Sequence, residues 1–112
     1  MTTLTFDTSG PFCAVYVNRA PVRVEWMKTG QSERLFALIE SKMAEAGVTR
    51  QDLQLICVGV GPGNFTGTRI GVAAARGLAL SLGIRAVGVT RLDALLSSGL
   101  SNTAAVAAHR GH

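Results

Sequence analysis

The sequence predicts an α/β domain, because strand-like runs alternate with segments whose apolar residues have helical spacing. The segment 55–60 is apolar without alternation, which is typical of a strand buried on both faces. With 112 residues, 47% of them hydrophobic, the chain is long enough for one domain with its own core. We therefore expect one sheet with helices on both sides.

Three short strands are expected at the beginning of the chain. The strand-like runs 3–7 and 12–18 are joined by the sequence Thr-Ser-Gly-Pro at 8–11, which is typical of a turn. A third run at 22–28 follows a second turn signal at 18–21. The three runs predict a meander.

A first helix is expected after this meander, with Ser32 as its N-cap and Gly47 at its end. Its apolar residues recur at spacings of three and four, so they form one stripe that must cover another surface. They are Leu35, Leu38, Ile39, Met43 and Ala46. After the helix, Thr49 and Asp52 have the spacing of a short capped turn.

A second helix is expected over residues 67–82, with Thr66 at its cap. Its small residues recur at a spacing of four and form a ridge with little side-chain volume, where another helix can approach closely. They are Gly67, Gly71, Ala75 and Ala79. The rest of the chain predicts a strand at 84–89, a short helix at 91–97, a polar linker at 97–102 and the start of an apolar strand at 103–108.

A basic composition favours nucleic-acid binding only where the charges cluster. The formal net charge is +4 and the isoelectric point is near 9.8. However, the eleven basic residues are scattered, and only one Trp and one Tyr are available to stack on bases. A solvated basic surface is therefore favoured over specific RNA binding.

The glycine-rich segment 59–71 is the most specific feature of the sequence, with five glycines and one proline. It is not a P-loop, because no lysine follows its last glycine, and its glycine spacing differs from the dinucleotide fingerprint. Two interpretations remain open. The segment is either a tight strand-to-helix turn or a helix N-terminus that holds an anion or packs against a partner.

No catalytic residue and no metal site are predicted. The histidines, His109 and His112, both fall in the last four residues, so none is available in the folded body for a Ser-His-acid or Cys-His arrangement. Cys13 and Cys57 stand alone in strand-like runs, which indicates reduced core cysteines. The longest apolar stretch, 70–82, is too short to span a bilayer, and no signal pattern precedes the first strand, so a cytoplasmic protein is expected.

Several segments together closely resemble the TsaB (YeaZ) family, whose members are bacterial partners of the TsaD enzyme in making threonylcarbamoyladenosine in tRNA. The resemblance covers residues 1–103. It is carried by the segments 4–9, 31–35, 59–71, 73–79 and 88–95. It implies an actin/hexokinase/Hsp70-like (ribonuclease H-like) α/β fold, with a mixed sheet and helices on both faces. It also implies that residues 1–102 form the N-terminal actin-like domain and that 103–112 begin a second domain that is otherwise missing.

The resemblance further implies a non-catalytic dimerisation or scaffold subunit that supports TsaD through a helical interface. The implied partners are a TsaD-like protein and a TsaE-like ATPase, with a homodimer when the chain is alone, tRNA contacted only indirectly and no membrane. No cofactor of its own is expected, and ATP with Mg²⁺ would belong to the shared complex. The expected interface residues are Leu35, Leu38, Ile39, Met43, Gly67, Gly71, Ala75 and Ala79.

The alternative is a nucleotide-binding or phosphotransfer enzyme of the actin-like superfamily. In that fold an aspartate at the end of the first strand, followed by hydroxyl residues, faces the nucleotide phosphates. The candidate phosphate-binding residues are Asp7, Thr8, Ser9, Gly61, Gly63 and Thr66. The competing interpretation, which we favour, is that the Asp7 carboxylate only accepts hydrogen bonds from amides of the following turn.

Overall fold

A computed structural model describes residues 1–18, 21–63 and 65–90 of the chain. The strands are β1 (Thr3–Asp7), β2 (Phe12–Val17), β3 (Arg23–Trp26), β4 (Leu55–Gly59) and β5 (Arg85–Val89). The helices are α1 (Gln31–Ala46) and α2 (Phe65–Leu82), and a 3-10 turn spans Arg50–Asp52. Each strand and helix expected within these residues is present.

The five strands form one sheet in the order β3-β2-β1-β4-β5. The first three strands are antiparallel neighbours, which confirms the predicted meander. β1 pairs with β4 in parallel, and β4 pairs with β5 in parallel. The sheet is therefore mixed, as expected, and α2 connects the parallel strands β4 and β5.

The main core lies on one face of the sheet. Side chains that alternate along β1 and β4 point to this face, among them Phe6 and Ile56, and both are fully buried. Leu35 on α1 and Ala75 on α2 belong to the same cluster, so both helices pack on the same face. The expected arrangement with helices on both faces is therefore not found in the described residues, because the apolar stripes of α1 and α2 cover the same side of the sheet. Cys57, with Val87 and Val89, forms a separate buried cluster on the opposite face.

Three further expectations lie outside the described residues. They are the helix at 91–97, the linker at 97–102 and the strand at 103–108, which carries the expected domain boundary.

The predicted caps of both helices are wrong, while the predicted end of α1 is confirmed. α1 begins at Gln31 after Gly30, whose φ of 90° is a left-handed conformation that glycine adopts without strain. Ser32 therefore lies inside the first turn, and its hydroxyl donates to Glu33 Oε1 at 2.9 Å. α2 begins at Phe65, which places Thr66 in the first turn instead of at the cap. Gly47 ends α1, with its N–H donating to the Ala44 carbonyl at 3.1 Å.

The short turn after α1 is capped as its sequence predicts. The backbone N–H of Thr49 donates to Asp52 Oδ2 at 2.8 Å, and the Thr49 hydroxyl is 2.9 Å from the same oxygen. These contacts lower the pKa of the Asp52 carboxyl. Among the described helices, none is long and apolar enough to cross a membrane.

Both cysteines are free and buried, as predicted for core residues. Burial raises the pKa of the Cys13 thiol to about 11 and that of the Cys57 thiol to about 11. A thiol with such a pKa is almost fully protonated at neutral pH, so neither cysteine is activated as a nucleophile.

Candidate functional site

The first candidate site lies where β1 and β4 end. These strands are parallel neighbours, so their carboxyl ends lie at the same edge of the sheet, where open α/β sheets commonly bind ligands. The turn after β1 and the glycine-rich loop after β4 meet there. We define the strand-end junction as Asp7, Thr8 and Ser9 together with Gly59, Gly61, Gly63 and Gly71.

Asp7 is fixed by its own turn and by β4. Its side chain is only 6% exposed, and its Oδ1 accepts the backbone N–H of Ser9 at 2.8 Å. The carboxylate lies directly against Gly59, where a Cβ atom would be 2.5 and 2.6 Å from the two carboxylate oxygens. The contacts of Asp7 are those of a carboxylate that accepts a turn amide, which was the favoured interpretation.

Thr8 connects β1 to α2. It is fully buried, and its hydroxyl donates to the carbonyl oxygen of Gly67 at 2.6 Å. A Cβ atom at Gly71 would lie 2.8 Å from the Thr8 Oγ1. The hydroxyl of this candidate phosphate-binding residue therefore holds the first turns of α2 against the end of β1.

The two loops of the junction are in direct contact. A Cβ atom at Gly63 would collide with the carbonyl oxygen of Ser9, so only glycine permits this approach. Gly61 has a φ of 109°, a conformation that side chains rarely adopt. These glycines are explained by internal packing, which supports the tight-turn interpretation of the segment 59–71.

The candidate phosphate-binding residues are thus brought to one edge of the sheet, but in different environments. Asp7, Thr8 and Ser9 are buried, whereas Thr66 is exposed on the first turn of α2. In the part of the chain that the structure describes, no group of three or more His, Cys, Asp or Glu side chains is placed to hold a metal ion.

The second candidate site is the surface of the two helices. All eight residues that were expected to contact a partner are buried within the chain: Leu35, Leu38, Ile39, Met43, Gly67, Gly71, Ala75 and Ala79. The small-residue ridge of α2 faces its own sheet, since Gly71 contacts Thr8 and Val58. The assignment of these residues to a partner interface is therefore wrong for the folded chain, because packing against the sheet already uses them.

Other residues of the same helices face outward. We define the outer helical surface as the exposed residues Phe36, Ala37, Glu40 and Ala44 on α1 with Ala73, Arg76, Gly77 and Leu80 on α2. Leu80 is 86% exposed and Phe36 is 43% exposed, although both are large and apolar. Sequence reasoning missed this surface, although Ala73, Gly77 and Leu80 also have helical spacing.

Gly77 has no role in the packing of the described chain. It lies in the interior of α2, is exposed, and a Cβ atom added there would meet nothing within 4 Å. Glycine inside a helix is less favourable than alanine by about 1 kcal/mol. Within residues 1–18, 21–63 and 65–90, no contact explains a glycine at this position.

Comparisons with known proteins agree with this architecture. A protein-family model described as TsaD, tRNA N6-adenosine threonylcarbamoyltransferase, matches residues 25–109, which include the glycine-rich loop and both helices. The structure is similar to YeaZ from Pseudomonas aeruginosa, with a TM-score of 0.76 and 33% identity, covering 80% of this chain and 45% of that one. This likeness confirms the expected actin-like α/β fold.

Proteins with similar sequences indicate the same family. An uncharacterised protein of Mycobacterium tuberculosis is 36% identical over 111 residues, covering 94% of this chain and 53% of that protein. The tRNA threonylcarbamoyladenosine biosynthesis protein TsaB of Bacillus subtilis is 34% identical over 103 residues, covering 88% of this chain and 45% of that protein. The chain thus spans about half the length of the relatives it matches. It belongs to the family of the TsaD model, within which it is TsaB/YeaZ-like.

Proposed function

We propose that this chain acts in tRNA threonylcarbamoyladenosine biosynthesis as a non-catalytic scaffold. Its outer helical surface would dock a TsaD-like protein, which carries the chemistry. The proposal rests first on the family, since curated relatives are named for this pathway. In this proposal residues 1–102 form the N-terminal domain, the protein acts in the cytoplasm, and it contacts tRNA only through its partner.

Gly77 is the observation that carries the docking surface. A helix of a partner can approach α2 most closely where the side chain is absent, and a Cβ atom at Gly77 would meet no described residue within 4 Å. Leu80, three residues further along α2, leaves a large apolar side chain in water, which a docked helix would cover. In the isolated chain, a glycine inside a helix and an exposed leucine are both unfavourable. In a close contact with another helix, the glycine permits the approach and the leucine is buried.

The partners and ligands of the complex follow from the same proposal. A TsaE-like ATPase is a further partner, and ATP with Mg²⁺ belongs to the shared complex instead of to this chain. The strand-end junction supports a structural role for its residues, since the hydroxyl of Thr8 and the carboxylate of Asp7 already have partners inside the chain.

The test replaces the side chain at the point of closest approach. We expect Gly77→Trp to weaken binding of the TsaD-like protein from the same organism by about 100-fold, because the indole would separate the helices. Gly77→Ala is the matched control and should bind within a few fold of the parent chain. Isothermal titration calorimetry measures the affinity, and thermal unfolding checks that each variant is folded. Equal affinity of Gly77→Trp and the parent chain would refute the docking surface.

A second candidate function is binding of a nucleotide at the strand-end junction. It is favoured by one observation, the meeting of Asp7, Thr8, Ser9 and the glycine-rich loop at one edge of the sheet. Calorimetric titration with Mg-ATP tests it. Affinity tighter than about 10 μM that disappears in Asp7→Asn, a substitution of nearly equal size, would establish this function for the chain.

A further inference from the structure

Arg76 is the charged residue of the outer helical surface on α2. It follows Ala73 by three residues and precedes Leu80 by four, so the three residues lie along one outward row of the helix. Arg76 is exposed and is next to Gly77, where a partner helix would approach most closely in the proposed function. A single positive charge therefore lies in the middle of a row that is otherwise small or apolar.

Arg76 has no ion-pair partner in the part of the chain that the structure describes. The ion pairs of these residues use other cations, namely Arg23, Arg34, Lys42 and Arg50. In the isolated chain, water solvates the exposed guanidinium, so the missing counter-charge has little cost. Removing that water without supplying a counter-charge would be strongly unfavourable.

Glu40, the charged residue of the same surface on α1, differs from Arg76. Its Oε2 lies 4.0 Å from Nη2 of Arg50, and the two side chains are 67% and 57% exposed. Glu40 therefore has a cation nearby within the chain, and it gives the α1 half of the surface a negative charge. A surface with both signs of charge does not fit the uniformly negative backbone of a nucleic acid, whereas it fits a protein surface that also has both signs.

We propose that the TsaD-like partner places a carboxylate, from an aspartate or a glutamate, against the guanidinium of Arg76. This inference rests on the proposed function, because a helix that lies close to Gly77 and over Leu80 must also cover Arg76. A carboxylate replaces the lost water and accepts two parallel hydrogen bonds from the guanidinium. Arg76 would thus determine specificity, since a helical surface with an apolar or basic residue at this point is rejected.

Neutralising Arg76 tests whether its charge is covered in the complex. Arg76→Gln removes the charge, and both residues favour helices. We expect the TsaD-like protein from the same organism to dissociate at least about 30-fold faster, with an association rate within about 3-fold of the parent chain. Arg76→Lys keeps the charge without the two parallel bonds and should dissociate about 3- to 10-fold faster. Surface plasmon resonance measures both rates.

Salt distinguishes a covered ion pair from an exposed charge that only attracts the partner from a distance. A covered pair is poorly screened, so the faster dissociation of Arg76→Gln should persist at about 0.5 M NaCl. If the difference between Arg76→Gln and the parent chain disappears at this salt concentration, the guanidinium is not paired in the complex and the proposal is wrong.

Reversing the charge gives the sharper test, because the carboxylate of Arg76→Glu would meet that of the partner. Affinity should fall by at least about 100-fold. Each exposed Asp and Glu on the helices of the TsaD-like protein is then replaced by Arg, and one such replacement should restore at least about 10-fold of the loss. Arg85→Glu on β5 is the matched control, because it changes the charge equally at an exposed residue away from the helices. It should bind within about 3-fold of the parent chain, and circular dichroism checks that both variants fold.

The inference and the proposed function fail in different ways. If Gly77→Trp weakens binding but Arg76→Glu has no more effect than Arg85→Glu, the docking surface is supported and the facing carboxylate is rejected. The carboxylate is also rejected if none of the arginine replacements in the TsaD-like protein restores binding of Arg76→Glu. If Gly77→Trp has no effect, the docking surface itself is refuted, and the inference is refuted with it.

Other occupants of this surface would be recognised by the same variant. If Arg76→Glu leaves the TsaD-like protein bound but separates copies of the chain in sedimentation, Arg76 serves contact with a second copy. If it instead weakens binding of transfer RNA in a gel-shift titration, Arg76 contacts phosphate. Either result would overturn the proposal.

Discussion

The glycines of the strand-end junction and Gly77 on the outer helical surface have opposite surroundings. At Gly59 and Gly71 an added Cβ atom would lie within 3 Å of a neighbouring side chain, whereas at Gly77 it would meet nothing. Both regions belong to connected parts of the same chain, and both are rich in small residues. The difference indicates that glycines of the junction are required by close packing inside the chain, whereas no contact among the described residues requires glycine at position 77.

The largest effect is expected at Gly59. Gly59→Ala should destabilise the chain by about 3 kcal/mol, because the new methyl group overlaps the Asp7 carboxylate. Urea unfolding followed by circular dichroism measures the change. In the double variant with Asp7→Gly, the loss of stability should be smaller than the sum of the losses in the two single variants. Losses that simply add would contradict this contact.

Gly71→Ala should be the next most damaging change, at about 2 kcal/mol. Its methyl group would press on the Thr8 hydroxyl and on Val58, both of which lie under α2. The matched variant is Gly77→Ala in the same helix, so the gain in helix propensity from glycine to alanine is the same in both variants. If both changes alter the unfolding midpoint equally, the contrast between buried and outward glycines is wrong.

Thr8→Val should cost about 1 kcal/mol. It keeps the shape of the side chain and removes the hydrogen bond to the Gly67 carbonyl. Amide hydrogen exchange in the first turns of α2 should become faster than in α1. Uniform change in both helices would show that Thr8 does not hold α2 locally.

Gly77→Ala is expected to have the smallest effect, and in the opposite direction. The folded chain should become more stable by about 0.5 to 1 kcal/mol, because alanine favours the helix and its methyl group points into open space. Thermal and urea unfolding provide the measurement. Destabilisation by this change would show that the methyl group at position 77 meets another part of the folded chain, and would contradict the prediction.

The elements of the sheet and the helices could be predicted from the sequence because their apolar patterns are unambiguous. The unalternating segment 55–60 contains β4, and the apolar stripe of α1 faces the core as its spacing requires. The capped turn at Thr49 was also readable, because its side-chain contacts span only three residues. Contacts between residues this close in the chain can be predicted from the residue types and their spacing.

Which side of α2 faces the sheet could not be predicted from the sequence. Its ridge of Gly67, Gly71, Ala75 and Ala79 and its outward positions Ala73 and Gly77 both have helical spacing. Only the fit of Gly71 against Thr8 decides which set faces the sheet, and that contact joins residues far apart in the chain. The cap of α1 was missed because Gly30 begins the helix through its backbone conformation, without the side-chain contact that Ser32 suggested.

The rate at which the two buried thiols react can report on local opening of the folded chain. At pH 8 a thiol with a pKa of about 11 is ionised to roughly one part in a thousand, against about one part in ten at an ordinary pKa near 9. Alkylation should therefore be at least about 100-fold slower in the folded chain than in the unfolded chain. Cys13 belongs to the cluster between the sheet and the helices, and Cys57 belongs to the cluster on the opposite face of the sheet. The order in which the two thiols react would therefore show which face of the sheet is exposed first.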